Sequence, residues 1–206
     1  MKLTTLFFIL GLASITACNK GKADFTLKGT ITDTTFSTSL EGATVKLYET
    51  EAGTFSSTLI AESTIGADGS YSFTFPRNAV ESYTLSIHKE NYFDQENIIN
   101  FSAMTIEEDN VRDFSTTAKS WARLRFITTT PLAELHYIKQ LGKQGCPSCC
   151  GIDEQTLSGV QDLEIICPND GNSTYSYNYW VIGTADSGNK SATTTAFDTV
   201  TITLTY

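Results

Sequence analysis

The chain has 206 residues, 40% hydrophobic and 18% charged, with a formal net charge of −9 and a pI near 4.6. A mean hydropathy of −0.12 excludes a mainly disordered chain. The acidic balance excludes nucleic acid as a partner, because phosphate binding needs a basic surface, and it excludes charge-driven adhesion to anionic lipid.

The first 17 residues carry Lys2, an apolar run over 6–12 and then small residues. That run is too short to cross a bilayer of about 30 Å as a helix, and it suits the h-region of an export signal. The segment closes with Ser14-Ile15-Thr16-Ala17-Cys18, which resembles a bacterial lipobox with Ile15 in the place usually taken by Leu. The resemblance implies removal of 1–17, a lipid on Cys18 and a membrane partner reached through that lipid. The alternative is an ordinary signal peptide that leaves Cys18 in the mature chain. Residues 18–24 form a short polar tether. Resemblance to bacterial lipoproteins of the Bacteroidetes type implies the outer membrane, with the surface or periplasmic face left open.

The expected class is all-β, with two antiparallel β-sandwich domains over 25–117 and 118–206. Residues 66–75 (GADGSYSFTF) anchor the first. Asp68-Gly69 is a turn signal, and Tyr71, Phe73 and Phe75 then alternate with Ser70, Ser72 and Thr74, which puts three rings on one strand face. Similar alternation predicts strands at 25–32, 43–49, 56–64, 82–88, 98–101 and 111–116. Seven short strands with turns every 8–12 residues indicate a sandwich.

Four pieces carry a family likeness: Gly29-Thr30-Ile31, Gly42 to Leu47 (GATVKL), Asp68 to Phe73 (DGSYSF), and Tyr83 to Ile87 followed by Asn91-Tyr92. Their order resembles the carboxypeptidase regulatory-like family, with Asn91 where the family has Gly. The resemblance covers under half the chain and implies a transthyretin-like fold. It brings no catalytic residues, because the module accompanies many different partners.

In the second half, Ala122, Leu124 and Phe126 alternate with Trp121, Arg123 and Arg125. Strands are expected at 121–127, 135–140, 163–166, 174–183 and 196–206. A Gly- and Cys-containing excursion fills 141–160, and turns fall at Gly171 and 186–189. No repeat of the first domain's motif is evident.

Cys146, Cys149, Cys150 and Cys167 make an even set in an exported chain, which favours disulfides. Three connectivities exist. A vicinal Cys149–Cys150 bridge is strained, and both others tie Cys167 to Cys149 or Cys150. Closing about 17 residues stabilises by roughly 3 kcal/mol in the chain-entropy model. Two other chemistries compete. Cys146 and Cys149 have the C-x-x-C spacing of thiol oxidoreductases, but no helix pattern supplies the usual thiolate support. Four thiolates could hold zinc, but adjacent Cys149 and Cys150 make a tetrahedral set awkward.

Tyr175, Tyr177 and Tyr179 alternate along one strand and Trp180 follows. An exposed tyrosine face would be a sugar-stacking platform, and a buried one would be core. Asp68 reads as a turn-former rather than a calcium ligand. His88 points away from its strand's apolar face, and His136 lies in no recognisable motif. No Ser/His/Asp set can be argued. The reading that follows is a non-catalytic binding or assembly module of the cell envelope with no cofactor. Its partners would be the membrane and a glycan or envelope protein. The alternatives are a glycan-binding accessory and a thiol-redox or metal protein centred on 146–150.

Overall fold

The computed structural model describes residues 23–130, 133–146, 148–159 and 162–206. The export segment, Cys18 and tether residues 19–22 lie outside the described residues. The first sandwich holds β1 (Asp24–Asp33), β2 (Thr38–Ser39), β3 (Thr44–Glu51), β4 (Ser57–Thr64), β5 (Ser70–Pro76), β6 (Val80–His88), β7 (Gln95–Asn100), β8 (Asn110–Val111) and β9 (Phe114–Thr116). In one sheet β1 lies antiparallel to β5 and β2, and parallel to β8 and β9. The facing sheet runs β4-β3-β6-β7, all antiparallel.

The period of two in β5 becomes burial: Tyr71, Phe73 and Phe75 point inward and the Ser/Thr set points out. They meet Phe25, Leu27 and Ile31 of β1 and Val45, Leu47, Tyr83, Leu85 and Ile87 of the opposite sheet. Each such side chain contributes about 1.5–3 kcal/mol by leaving water. Asp68 closes the β4–β5 turn by accepting from the Ser70 amide at 3.1 Å and the Ser70 hydroxyl at 2.7 Å. Gly29 is required by close approach, since a Cβ there would stand 1.8 Å from the Arg112 carbonyl oxygen. Asn91 adopts φ +63°, a left-handed position that Asn tolerates better than most residues.

The second sandwich holds β10 (Lys119–Ile127), β11 (Glu134–Leu141), β12 (Gln155–Ser158), β13 (Asp162–Asp170), β14 (Thr174–Val181), β15 (Ser187–Thr193) and β16 (Thr199–Thr205). Its sheets are β13-β10-β16 and β12-β11-β14-β15. Again the first strand lies antiparallel to one neighbour and parallel to the other, here the last strand. Taking β10 for β1, β11 for β3, β12 for β4, β13 for β5, β14 for β6, β15 for β7 and β16 for β8–β9 reproduces the pairing of the first sandwich apart from the two-residue β2. The strand pairing thus recurs although the sequence motif of the first half does not. Topology is carried by which strands pair, and different apolar side chains satisfy the same pairing.

Three strands depart from expectation. β12 forms inside the stretch read as an excursion, and β15 begins at Ser187 where a turn was expected. Both are edge strands with mostly exposed residues, so they lack the apolar alternation that marks a strand in sequence. β2 is a two-residue pairing with no pattern to read.

Only Thr117 and Ala118 separate β9 from β10, and the junction is hydrogen-bonded rather than free. The Lys119 amide donates to the Asn91 carbonyl at 2.7 Å and the Ala118 amide to Thr35 Oγ1 at 2.9 Å. Asp33, 2% exposed, accepts from Tyr92 Oη at 2.8 Å and from the Thr35 amide at 2.8 Å. Burial first, then this carboxylate, push the Tyr92 phenol up to about 12. Phe197, from the connection before β16, packs on Phe36 and Tyr92 with ring centroids 5.9 and 5.6 Å away. Lys143 Nζ sits 4.6 Å from the Phe93 ring centre and 2.9 Å from Asp170 Oδ1.

Candidate functional site

The sheet β12-β11-β14-β15 presents two chemically different faces. Its inner face carries Tyr175 and Tyr177, 1% and 0% exposed. Tyr177 packs edge-on to Phe126 and Tyr137 at 5.7 Å. Burial drives the phenols of Tyr175 and Tyr177 well above the ordinary tyrosine range. Tyr179 shares this face, and its hydroxyl donates to Asp186 at 3.2 Å. The sugar-stacking alternative is thus corrected for Tyr175 and Tyr177, whose face of β14 turns toward β10 and into the core, while Tyr179 is half-buried at the margin of that core.

Trp180 turns the other way. It lies directly across from His136 on β11, with ring centroids 5.6 Å apart. His136, with a side chain 17% exposed, is held at both nitrogens. Nε2 meets Glu134 Oε1 at 2.8 Å, and Nδ1 meets Glu154 Oε1, from the residue just before β12. The carboxylates Glu134 and then Glu154 raise the imidazole above its ordinary value, and His136 in turn lowers Glu134. Asn178 and Asn189 extend the face, with Asn189 Nδ2 donating to Asn178 Oδ1 at 2.9 Å. Sequence reading missed this patch, because Glu154 reaches His136 only through the β11–β12 connection. The signal available was the Glu-x-His spacing of 134 and 136, which puts both on one strand face.

The cysteine excursion is that connection, the counterpart of the short β3–β4 hairpin tip in the first sandwich. Its bridges are Cys146–Cys149 and Cys150–Cys167, one of the two connectivities left open by sequence. The second staples the excursion to β13 opposite Ala122. With the four sulfurs paired in twos, no thiolate set stands ready for zinc. Among the described residues no cluster of three or more His, Cys, Asp or Glu side chains is arranged to hold a metal ion.

Beneath the excursion lies Lys139, 6% exposed on the inner face of β11. Its Nζ donates to the carbonyls of Lys143, Cys149 (2.8 Å) and Cys150 (3.0 Å), and lies 5.7 Å from the Tyr175 ring centre. Desolvation lowers its pKa. All three ammonium donors are therefore spent on backbone oxygens, the arrangement a buried cation needs. His88, by contrast, is an exposed residue at the end of β6 whose Nδ1 meets Asp94 at 2.6 Å.

No family model matches the chain, and no curated protein does. Among solved structures it is similar to the minor pilin GBS52 of Streptococcus agalactiae, with 12% identity and a TM-score of 0.38 over 88% of this chain and 94% of that one. It is similar to the shaft pilin SpaA of Lactobacillus rhamnosus GG, with 11% identity and a TM-score of 0.33 over 88% and 96%. It is also similar to a DUF3823 family protein of Parabacteroides merdae, with 12% identity and a TM-score of 0.34 over 84% and 98%. All three scores lie below 0.5, and the fold rests on the strand pairing described above.

Proposed function

We propose that this chain is an envelope lipoprotein, anchored through Cys18, that displays two rigidly joined β-sandwiches as a non-catalytic binding or assembly module. The observation that supports this most is the junction: a lipobox-like segment precedes two sandwiches of like topology coupled by backbone bonds and the Phe36–Tyr92–Phe197 cluster. The bonds and ring contacts at the junction restrain the relative motion otherwise expected of two domains. The test is Cys18→Ala. The substituted chain moves from the membrane to the soluble fraction and stops incorporating a fatty-acid analogue. Unchanged partitioning and labelling would count against the anchor.

A second reading is favoured by one specific arrangement, the outward Trp180 flanked by Glu134, Glu154, Asn178 and Asn189. An aromatic ring beside carboxylate and carboxamide groups suits the apolar face and hydroxyls of a sugar. Trp180→Ala is expected to abolish retardation in affinity electrophoresis against soluble polysaccharides while leaving the melting temperature nearly unchanged. Absence of retardation for the wild type across a broad glycan panel would end this reading.

A further inference from the structure

We propose that the Cys146–Cys149 pair is a thiol–disulfide exchange site for a dithiol partner, and that Lys139 is its positioning residue. The two bridges of the excursion differ in what they hold. Cys150–Cys167 spans 17 residues and ties the excursion to the core strand β13, whereas Cys146–Cys149 spans three residues inside the excursion. Opening the short bridge leaves the excursion fastened by the long one and by the three Lys139 bonds. The sandwich therefore has no structural need of it.

The short bridge is reachable from solvent. A cleft of about 290 Å³, walled by Gln144, Gly145, Gly151, Ile152 and Asp153, opens on Cys146, Cys149 and Cys150. Cys146 is partly exposed and Cys149 is 2% exposed, so the outer sulfur is the one a partner reaches. Thiol oxidoreductases commonly lower the pKa of a C-x-x-C thiol with a helix N-terminus, and no α-helix occurs among the described residues. Here Lys139 takes that place. Its ammonium is bonded to the carbonyls of Cys149 and Cys150, which fixes the backbone that carries the inner sulfur, and it makes no ion pair among the described residues. Lys143 is engaged with Asp170, Glu154 with His136, and Asp153 lies on the outer wall of the cleft.

The exchange balances with a dithiol as reductant. One partner thiolate attacks Cys146 Sγ and forms a mixed disulfide. The Sγ–Sγ bond breaks, and its electron pair leaves on Cys149 Sγ. The partner's second thiolate then attacks its own bridged sulfur, closes the partner's disulfide and releases the Cys146 thiolate. The two protons given up by the dithiol are taken by the two cysteines.

The test uses the detergent-solubilised full chain. It is equilibrated with graded dithiothreitol, trapped with N-ethylmaleimide and mapped by peptide mass. Cys146 and Cys149 are expected to be alkylated at reductant concentrations at least tenfold below those that expose Cys150 and Cys167, with near-UV circular dichroism unchanged. Simultaneous reduction of both bridges, accompanied by loss of that signal, would overturn the proposal. In the reduced protein the alkylation rate of the pair should titrate below the free-thiol value of about 8.5. Lys139→Met should move that profile upward. If Lys139→Met does not fold, the wild-type profile still decides: titration at or above 8.5 overturns the role of Lys139.

Discussion

At the scale of single residues, two side chains show how environment overrides residue type. Tyr177 is buried among Phe126, Tyr137 and Tyr175, and among the described residues its hydroxyl finds no hydrogen-bond partner. A buried unpaired hydroxyl costs stability, so Tyr177→Phe should be neutral or stabilising, whereas Tyr177→Ala should cost about 3–5 kcal/mol through the cavity it leaves. Denaturant titration of both variants checks this, and a strongly destabilised Phe variant would mean the hydroxyl has a partner. His136 gives a pH signature. Its raised pKa means that its contribution is full below the ordinary value of 6.5 and is lost as pH rises through the raised one. Glu134, lowered from 4.5, contributes above that value and is lost as pH falls through the lowered one. The stability difference between wild type and His136→Gln should therefore be greatest between about pH 4.5 and 6.5. A difference that is flat from pH 4 to 9 would show that the two carboxylates do not hold the ring.

At the scale of elements, legibility followed burial. β5, β10 and β16 were plain in the sequence because one face of each is buried and the period of two survives as alternation. β12 and β15 were not, because an edge strand is specified by the neighbour it pairs with. The β14 tyrosines show the limit from the other side. Alternation established that Tyr175, Tyr177 and Tyr179 share a face, but an aromatic row reads the same whether it meets solvent or a second sheet. The distinction came from β10, whose Phe126 packs against that row. Within the candidate sites, the C-x-x-C spacing and the even cysteine count were visible. The buried Lys139 was not, since a lysine in an apolar strand carries no sign of the carbonyls that will receive it.

At the scale of the whole molecule, the junction decides whether the sandwiches act as one body. Asp33 is its buried polar centre, and Asp33→Ala would strand the Tyr92 hydroxyl and the Thr35 amide. Leaving such groups unpaired costs about 1–3 kcal/mol each. Scanning calorimetry of the wild type should give a single transition, and the variant should resolve into two. Two transitions in the wild type would show that the interface does not couple the halves. The repeated topology gives the coupling a simple geometry: β1 and β10 hold corresponding central positions, and the chain passes from one sandwich to the other through two residues.

The sequence by itself determined the class of this protein. Strand-length alternation, Gly-containing turns and the scarcity of helix patterns follow from local chemistry, and so do the export-like start and the even set of cysteines. Only the tertiary structure decided the rest: which cysteines pair, which side of β14 meets solvent, that His136 lies between two carboxylates, and that one topology occurs twice. The reason is physical. Each of these depends on contacts between residues distant in the chain, such as Phe126 with Tyr177 or Glu154 with His136, and no local pattern records a partner that arrives only when the sheets close.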